Sequence, residues 1–254
     1  MEYSFKTNQG KRKDNQDYTE VFFNQQNTLL SILCDGLGGH QAGDIASEMA
    51  VSQIGNAWEK TKFTTTDTYI IQKWLNDKIN QENQRIFDTA SKYSDLNGMG
   101  TTLVACVILE EQILFANVGD SRAYIYKDEN IQLITEDHSF VSELQRRGEL
   151  TDAEAMNHVN RNALTRSLGV SNDVNVDFFK EFKNRTEIVM LNSDGLSNVV
   201  NEEDMITILK QNTTLVQKAE TLIETAIKND ASDNITVSLI DVHSEKKIEV
   251  GENE

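Results

Sequence analysis

The spacing of apolar and polar positions changes several times along the chain. Residues 3–7 alternate, as a half-buried strand does. Residues 19–23 form a second strand, and the polar run 24–27 leads to an apolar stretch, Leu30-Ser31-Ile32-Leu33-Cys34, that stops on Asp35. This pattern predicts a hairpin. Over about 43–59 the period becomes helical, with Ala46, Met49, Ala50, Ile54 and Ala57 on one face. A second helix begins at Asp67 and places Ile71, Leu75, Ile79, Ile86 and Ala90 in a stripe. Trp58 and Trp74 are read as packing anchors of these helices.

Strand character returns at 101–109, 113–118 and 123–126, with short turns between. The stretch from Asp137 to about residue 180 is polar and broken. It holds short helical pieces at 139–147 and 151–157, the second opened by the capping-box pattern Thr151-Asp152-Ala153-Glu154. It reads as an insertion lying over one face. A strand at 187–191, helices at about 201–210 and 215–229 and a last strand at 235–242 complete the chain before a polar, acidic tail from 243 that is expected to be mobile. Strands with tight connections beside paired helices predict an α+β fold with antiparallel sheets. One domain is expected over 1–242, with the insertion at about 138–180.

Composition narrows the function. A net charge of −17 over 254 residues argues against nucleic acid and against anionic membrane surfaces. The two cysteines, Cys34 and Cys106, sit in apolar runs and read as buried small hydrophobes in a reducing compartment. Residues 1–17 are polar and charged, with no apolar signal core, and no later stretch is apolar enough to span a bilayer. A cytoplasmic location is expected. The chain has no proline, so Gly, Asn and Asp must make its turns.

Candidate chemistry is concentrated in aspartates. Asp35, Asp120, Asp194 and Asp233 each fall at the start or end of an expected strand, and the first three lie beside a glycine. A single Asp-Gly pair is commonly a turn. Four acids brought to the edge of one core would repel unless a cation lay between them. With no Cys-His cluster, the donors are hard oxygens, suited to Mg²⁺ or Mn²⁺ rather than zinc. Spacing alone therefore points to a metal-dependent hydrolase. The basic triplet Lys11-Arg12-Lys13 runs into Asp14-Asn15-Gln16-Asp17, either as solvated surface or as phosphate donors near a metal site.

Several segments in order carry a resemblance. They are Arg12 with Asn15-Gln16-Asp17; Asp35-Gly36-Leu37-Gly38-Gly39-His40 with Ala42-Gly43-Asp44; and Gly98-Met99-Gly100-Thr101-Thr102. Gly119-Asp120-Ser121-Arg122, Asp137-His138-Ser139, Ser193-Asp194-Gly195 and Asp233-Asn234-Ile235-Thr236 follow. Each is weak alone, but as an ordered set the chain strongly resembles the metal-dependent protein phosphatases of type 2C, in particular the bacterial serine/threonine phosphatases. The resemblance implies two stacked antiparallel sheets flanked by pairs of antiparallel helices, an α-β-β-α sandwich with a flap. It implies that Asp35 bridges two metal ions, that the Gly36 carbonyl binds one, and that Asp194 and Asp233 hold the other. Asp120, with Asp194, would serve a third and weaker ion. Arg12 would clamp the substrate phosphate, His40 would protonate the leaving group unless it is a solvated loop residue, and Asp17 would belong to the catalytic set.

The substrates implied are phosphoproteins, among them a serine/threonine protein kinase, for an enzyme acting as a monomer. Two departures stand out. The loop before Arg12 is one residue short of many relatives, which leaves Lys11 or Lys13 as alternative clamps. Val159 follows His158 where many relatives have proline, a change expected to loosen the flap. The rival reading is a catalytically silent relative that binds phosphoproteins; such a chain should have lost a metal aspartate, and none is missing.

Overall fold

The computed structural model describes residues 1–38 and 42–244, with backbone alone at Met156, Gly251 and Glu252. The chain opens with β1 (Glu2–Asn8) and the hairpin β2 (Asp17–Phe23) and β3 (Leu29–Leu37). Two long helices follow, α1 (Ala42–Trp58) and α2 (Thr68–Lys92), then a run of strands: β4 (Gly100–Thr101), β5 (Leu103–Ile108), β6 (Gln112–Val118), β7 (Arg122–Lys127) and β8 (Asn130–Leu133). The stretch expected to form a flap carries α3 (Phe140–Arg146) and α4 (Asp152–Met156), and returns through β9 (Asp177–Phe182). The rest comprises β10 (Ile188–Asn192), α5 (Asp194–Ser197), α6 (Glu202–Leu209), α7 (Leu215–Lys228), β11 (Ile235–Asp241) and β12 (Gly251–Glu252).

The strands form two six-stranded sheets. One runs β12-β1-β11-β10-β7-β8; the other runs β2-β3-β5-β6-β9, with β4 beside β3. All pairs are antiparallel except β12 with β1, where Phe5 faces Gly251 and Lys6 faces Glu252. Apart from this pairing and His243–Ser244, the acidic tail lies outside the described residues.

The reason the central strands read as continuous apolar runs is that both of their faces are covered. In β3, Leu30, Ile32 and Cys34 pack under α1 and α2, while Leu29 and Leu33 face the other sheet. In β5 the same alternation sends Leu103, Ala105 and Val107 outward and Val104, Cys106 and Ile108 inward. The two cysteines are therefore free, buried and on opposite faces. On the far side, α6 and α7 cover Met190, Val237 and Leu239. The layers are α-β-β-α, as the resemblance implied. Trp58 is fully buried, donates Nε1–H to the Thr28 carbonyl at 3.0 Å and packs at 5.4 Å against the tilted ring of Trp74.

Some elements differ from the sequence reading. β8 and β9 were not expected, and β9 takes the end of the presumed insertion into the sheet beside β6. Leu168 and Val174 from the same stretch join the core under α2. Both strands are edges with few buried side chains, so their stability comes from a neighbour's hydrogen-bond ladder and leaves little trace in local hydropathy. β3 also runs past Asp35 to Leu37, because Gly36 and Leu37 pair with β4. Asp194 opens α5 instead of ending a strand. The Thr151 capping box is present in full.

Candidate metal centre and phosphate cleft

The site lies where β2, β3 and β11 end together. Asp17, the first residue of β2, is directly opposite Asp35 in β3. Like charges opposite one another on adjacent strands repel, so this pairing is costly unless the site uses it. The Asp35 backbone is held firmly. Its N–H donates to Thr102 Oγ1 at 2.9 Å, and its carbonyl accepts from Thr102 N–H at 2.8 Å and Thr101 Oγ1 at 2.9 Å. The next residue must be glycine for reasons of space, since a Cβ on Gly36 would meet the Gly43 carbonyl oxygen at 2.2 Å. That close approach brings the start of α1 against the strand.

Asp17 is buried. Its Oδ2 accepts from Ser193 Oγ at 2.7 Å, and Ser193 Oγ accepts from the Thr236 N–H at 3.0 Å. Burial pushes its carboxyl up to about 7, with Asp194 and Asp233 adding to the rise. Asp35 is driven well above the ordinary carboxylate range, first by burial and then by Asp17, Asp194, Asp120 and Asp233. Asp120, in the turn between β6 and β7, is pushed up to about 8 by burial, then by Asp194 and Asp137. Asp194 is raised by burial and by Asp233.

Asp233 sits at the rim. Its Oδ1 accepts from the Asn234 N–H at 2.9 Å, and its Oδ2 accepts from Arg12 Nη2 at 2.6 Å. Asn234 ties the loop carrying Arg12 to this turn. It donates to the carbonyls of Gln9 at 2.8 Å and Asp14 at 3.0 Å, and accepts from Gln16 N–H at 2.9 Å. Of the basic triplet, Arg12 lines the cleft, while Lys11 turns away to Asp230.

A cleft of about 790 Å³ opens above these residues, with Arg12, Asp120, Asp194 and Asp233 in its wall. Arg122, Asp137 and Arg161 also line it, and no site role had been given to them. Arg122 grips Asp137 with two bonds, Nε to Oδ1 at 3.0 Å and Nη2 to Oδ2 at 2.7 Å. The signal for Arg122 was present, since it closes the Gly119–Arg122 motif, but its partner is set by folding. His40 lies outside the described residues.

The residues present suit hard divalent cations. Asp17 Oδ1 and Asp194 Oδ1 are buried without a hydrogen-bond partner, a costly condition for carboxylate oxygens that a cation would relieve. The acids raise one another's pKa values, which an ion between them would reverse. Among the described residues, no three side chains close into a finished coordination shell. The carboxylates gather round one cleft without yet converging on one point.

An α-β-β-α sandwich with an acidic, arginine-rimmed cleft at its edge is the class of protein that fold and site define. The family profile for protein phosphatase 2C matches residues 6–232. The chain is 44% identical over 242 residues to the serine/threonine phosphatase stp of Listeria welshimeri, covering 95% of this chain and 96% of that one. Among solved structures, it is similar to serine/threonine phosphatase Stp1 from Staphylococcus aureus, with a TM-score of 0.91 and 34% identity over 95% of each chain. It is also similar to the catalytic domain of the serine/threonine protein phosphatase PstP in complex with two manganese ions, with a TM-score of 0.76, 29% identity and coverage of 94% of this chain and 96% of that one. The chain belongs to the protein phosphatase 2C family, among its bacterial members.

Proposed function

We propose that this protein hydrolyses phosphoserine and phosphothreonine in proteins by direct attack of water on phosphorus, with no phosphoenzyme. The observation that carries this reading is the cluster of Asp17, Asp35, Asp120, Asp194 and Asp233 beneath an arginine-rimmed cleft, with two carboxylate oxygens buried and unpartnered. Both cysteines are buried in the core, which fits direct attack and not a thiol nucleophile.

Asp35 with the Gly36 carbonyl, and Asp194 with Asp233, would hold two tight Mn²⁺ or Mg²⁺ ions, and Asp120 with Asp194 a third and weaker one. Such ions, when bound, lower the pKa of a coordinated water and draw charge from the phosphoryl oxygens. The protein's own groups do the rest. Arg12 presents a planar fork to two phosphate oxygens, held at the cleft rim by Asp233 and the Ser232 carbonyl. Asp17, tied by Ser193 through one oxygen, keeps its other oxygen buried and unpartnered, and is assigned to orient the attacking water. His40 is assigned the proton for the leaving alkoxide.

The substrates are made by protein kinases, and a serine/threonine kinase that phosphorylates itself is the natural partner. The enzyme is assigned to the cytoplasm as a monomer; among the described residues no helix is long and apolar enough to cross a membrane. The test is release of phosphate from a phosphothreonine peptide with Mn²⁺ present, abolished by a chelator and restored by fresh Mn²⁺. Tight peptide binding with no release at any metal concentration would replace this reading with that of a silent phosphoprotein binder.

A further inference from the structure

We propose that His138 is a positioning residue whose imidazole clamps the Gly119 peptide and so couples the base of the flap to Asp120. The part concerning the weaker ion rests on the phosphatase reading; the clamp itself does not.

His138 is 1% exposed, at the point where the chain leaves the sheet for the flap. Its Nδ1 accepts the Gly119 N–H at 3.0 Å, and its own backbone N–H donates to the Gly119 carbonyl at 3.0 Å. One residue thus takes both polar groups of the glycine that precedes Asp120. Asn117 Nδ2 adds a weaker bond to the same carbonyl at 3.3 Å. Gly119 has a φ of +109°, and a Cβ there would meet Thr102 at 2.6 Å, so the turn has little freedom beyond what His138 allows.

The bonds also fix the tautomer. A backbone N–H can only donate, so Nδ1 must be unprotonated and the neutral ring carries its hydrogen on Nε2. That hydrogen goes to Asp177 Oδ2 at 2.9 Å, and Asp177 Oδ1 accepts from Arg166 Nη1 at 2.7 Å. Arg166 Nη1 also lies 3.2 Å from Nε2; with Nε2 protonated, these are two donors side by side on one carboxylate. On the backbone, the His138 carbonyl accepts from Thr165 N–H at 2.8 Å, and Phe140 N–H donates to the Ala163 carbonyl at 2.8 Å. Both arms of the flap therefore meet at His138, and a shift at the flap base is passed to the Gly119 peptide and on to Asp120.

Two substitutions separate the two edges of the ring. In His138→Asn the amide oxygen replaces Nδ1 and still accepts from Gly119, while the bond to Asp177 is lost. In His138→Gln the longer amide reaches Asp177 but offers nothing at the Nδ1 position. The concentration of Mn²⁺ giving half-maximal activity should rise about tenfold in His138→Gln, as loss of one well-placed hydrogen bond implies, and about threefold or less in His138→Asn. Tight Mn²⁺ binding measured by calorimetry should be unchanged in both. Exchange of the Gly119 amide, followed by NMR in the metal-free protein, should speed up in His138→Gln and not in His138→Asn. Equal effects of the two variants, on Mn²⁺ demand or on Gly119 exchange, would overturn the clamp. Should His138→Gln fail to fold, nitrogen chemical shifts of the wild-type ring decide: a protonated Nδ1 contradicts the proposal, and an unprotonated one supports it. An inactive wild-type protein would overturn the phosphatase reading and leave these NMR results to judge the clamp.

Discussion

At the base of the flap, Asp177 takes His138 on one oxygen and Arg166 on the other, and its pKa falls below the ordinary value although burial works against this. Under the cleft, Asp17, Asp35, Asp120 and Asp194 move the other way, raised by burial and then by neighbouring carboxylates. Both regions hold aspartates at least partly out of water within the same fold. The acid at the flap base is paired with a cation of the chain, whereas under the cleft Asp233 at the rim is paired with Arg12 and the deeper acids are left chiefly to one another. Charge pairing and depth of burial together separate scaffold from site.

The sharpest way to break this contrast is to remove acids from the unpaired group. Asp35→Asn and Asp194→Asn should each lower Mn²⁺-dependent turnover by about a thousandfold or more, as loss of a metal-supporting group does. In chelator the same proteins should melt at or above the wild-type temperature, because each change removes an acid whose ionisation the fold penalises. Calorimetric scans showing strong destabilisation in chelator would make these acids structural.

The pH dependence follows next. Asp17 and Asp120 have folded pKa values of about 7 and about 8 against an ordinary 3.8. Raised values mean that the native state holds protons which the unfolded chain has released, so this stability is full below pH 3.8 and is lost as pH rises through 7 and 8. The melting temperature of the chelated protein should fall between pH 5 and 8, and Asp17→Asn should flatten the slope. Asp177, with a lowered value, contributes stability above its unfolded pKa that is lost only as pH falls through the lower folded one. A metal-free profile with no slope across neutral pH would remove the distinction.

Arg12→Ala should cost about 2–4 kcal/mol in kcat/KM for phosphopeptides, roughly thirtyfold to a thousandfold, with Arg12→Lys recovering part. Steady-state kinetics that place the loss at Lys13 instead would shift the clamp by one residue. Asp177→Asn should be milder, destabilising by about 1–2 kcal/mol in urea titrations, because Asp177 itself and Arg166 are only partly buried. Lys11→Ala, at an exposed pair with Asp230, should leave both activity and stability within a few-fold of wild type.

Much of this was readable beforehand because it is local. The stripe of Ile71, Leu75, Ile79 and Ile86, the Thr151 capping box and the double-sided burial of Leu29–Cys34 depend on neighbours a few residues away. The aspartates were found through motifs in which a short segment carries both the acid and its turn.

What the sequence determined by itself was the set of periods, the core faces and the identity of the acids, since side-chain size and spacing act through the nearest turns of chain. Only the tertiary structure decided which acids would be left unpaired. Asp17 stands opposite Asp35 because of hairpin register, Asn234 reaches back to Gln9 and Asp14, and Asp137 and Asp177 find arginines while Asp35 finds none. Those outcomes depend on the pairing of distant strands. The free energy of such pairing lies in ladders and contacts between segments far apart in the chain, where the local pattern of apolar and polar residues carries no record of the partner.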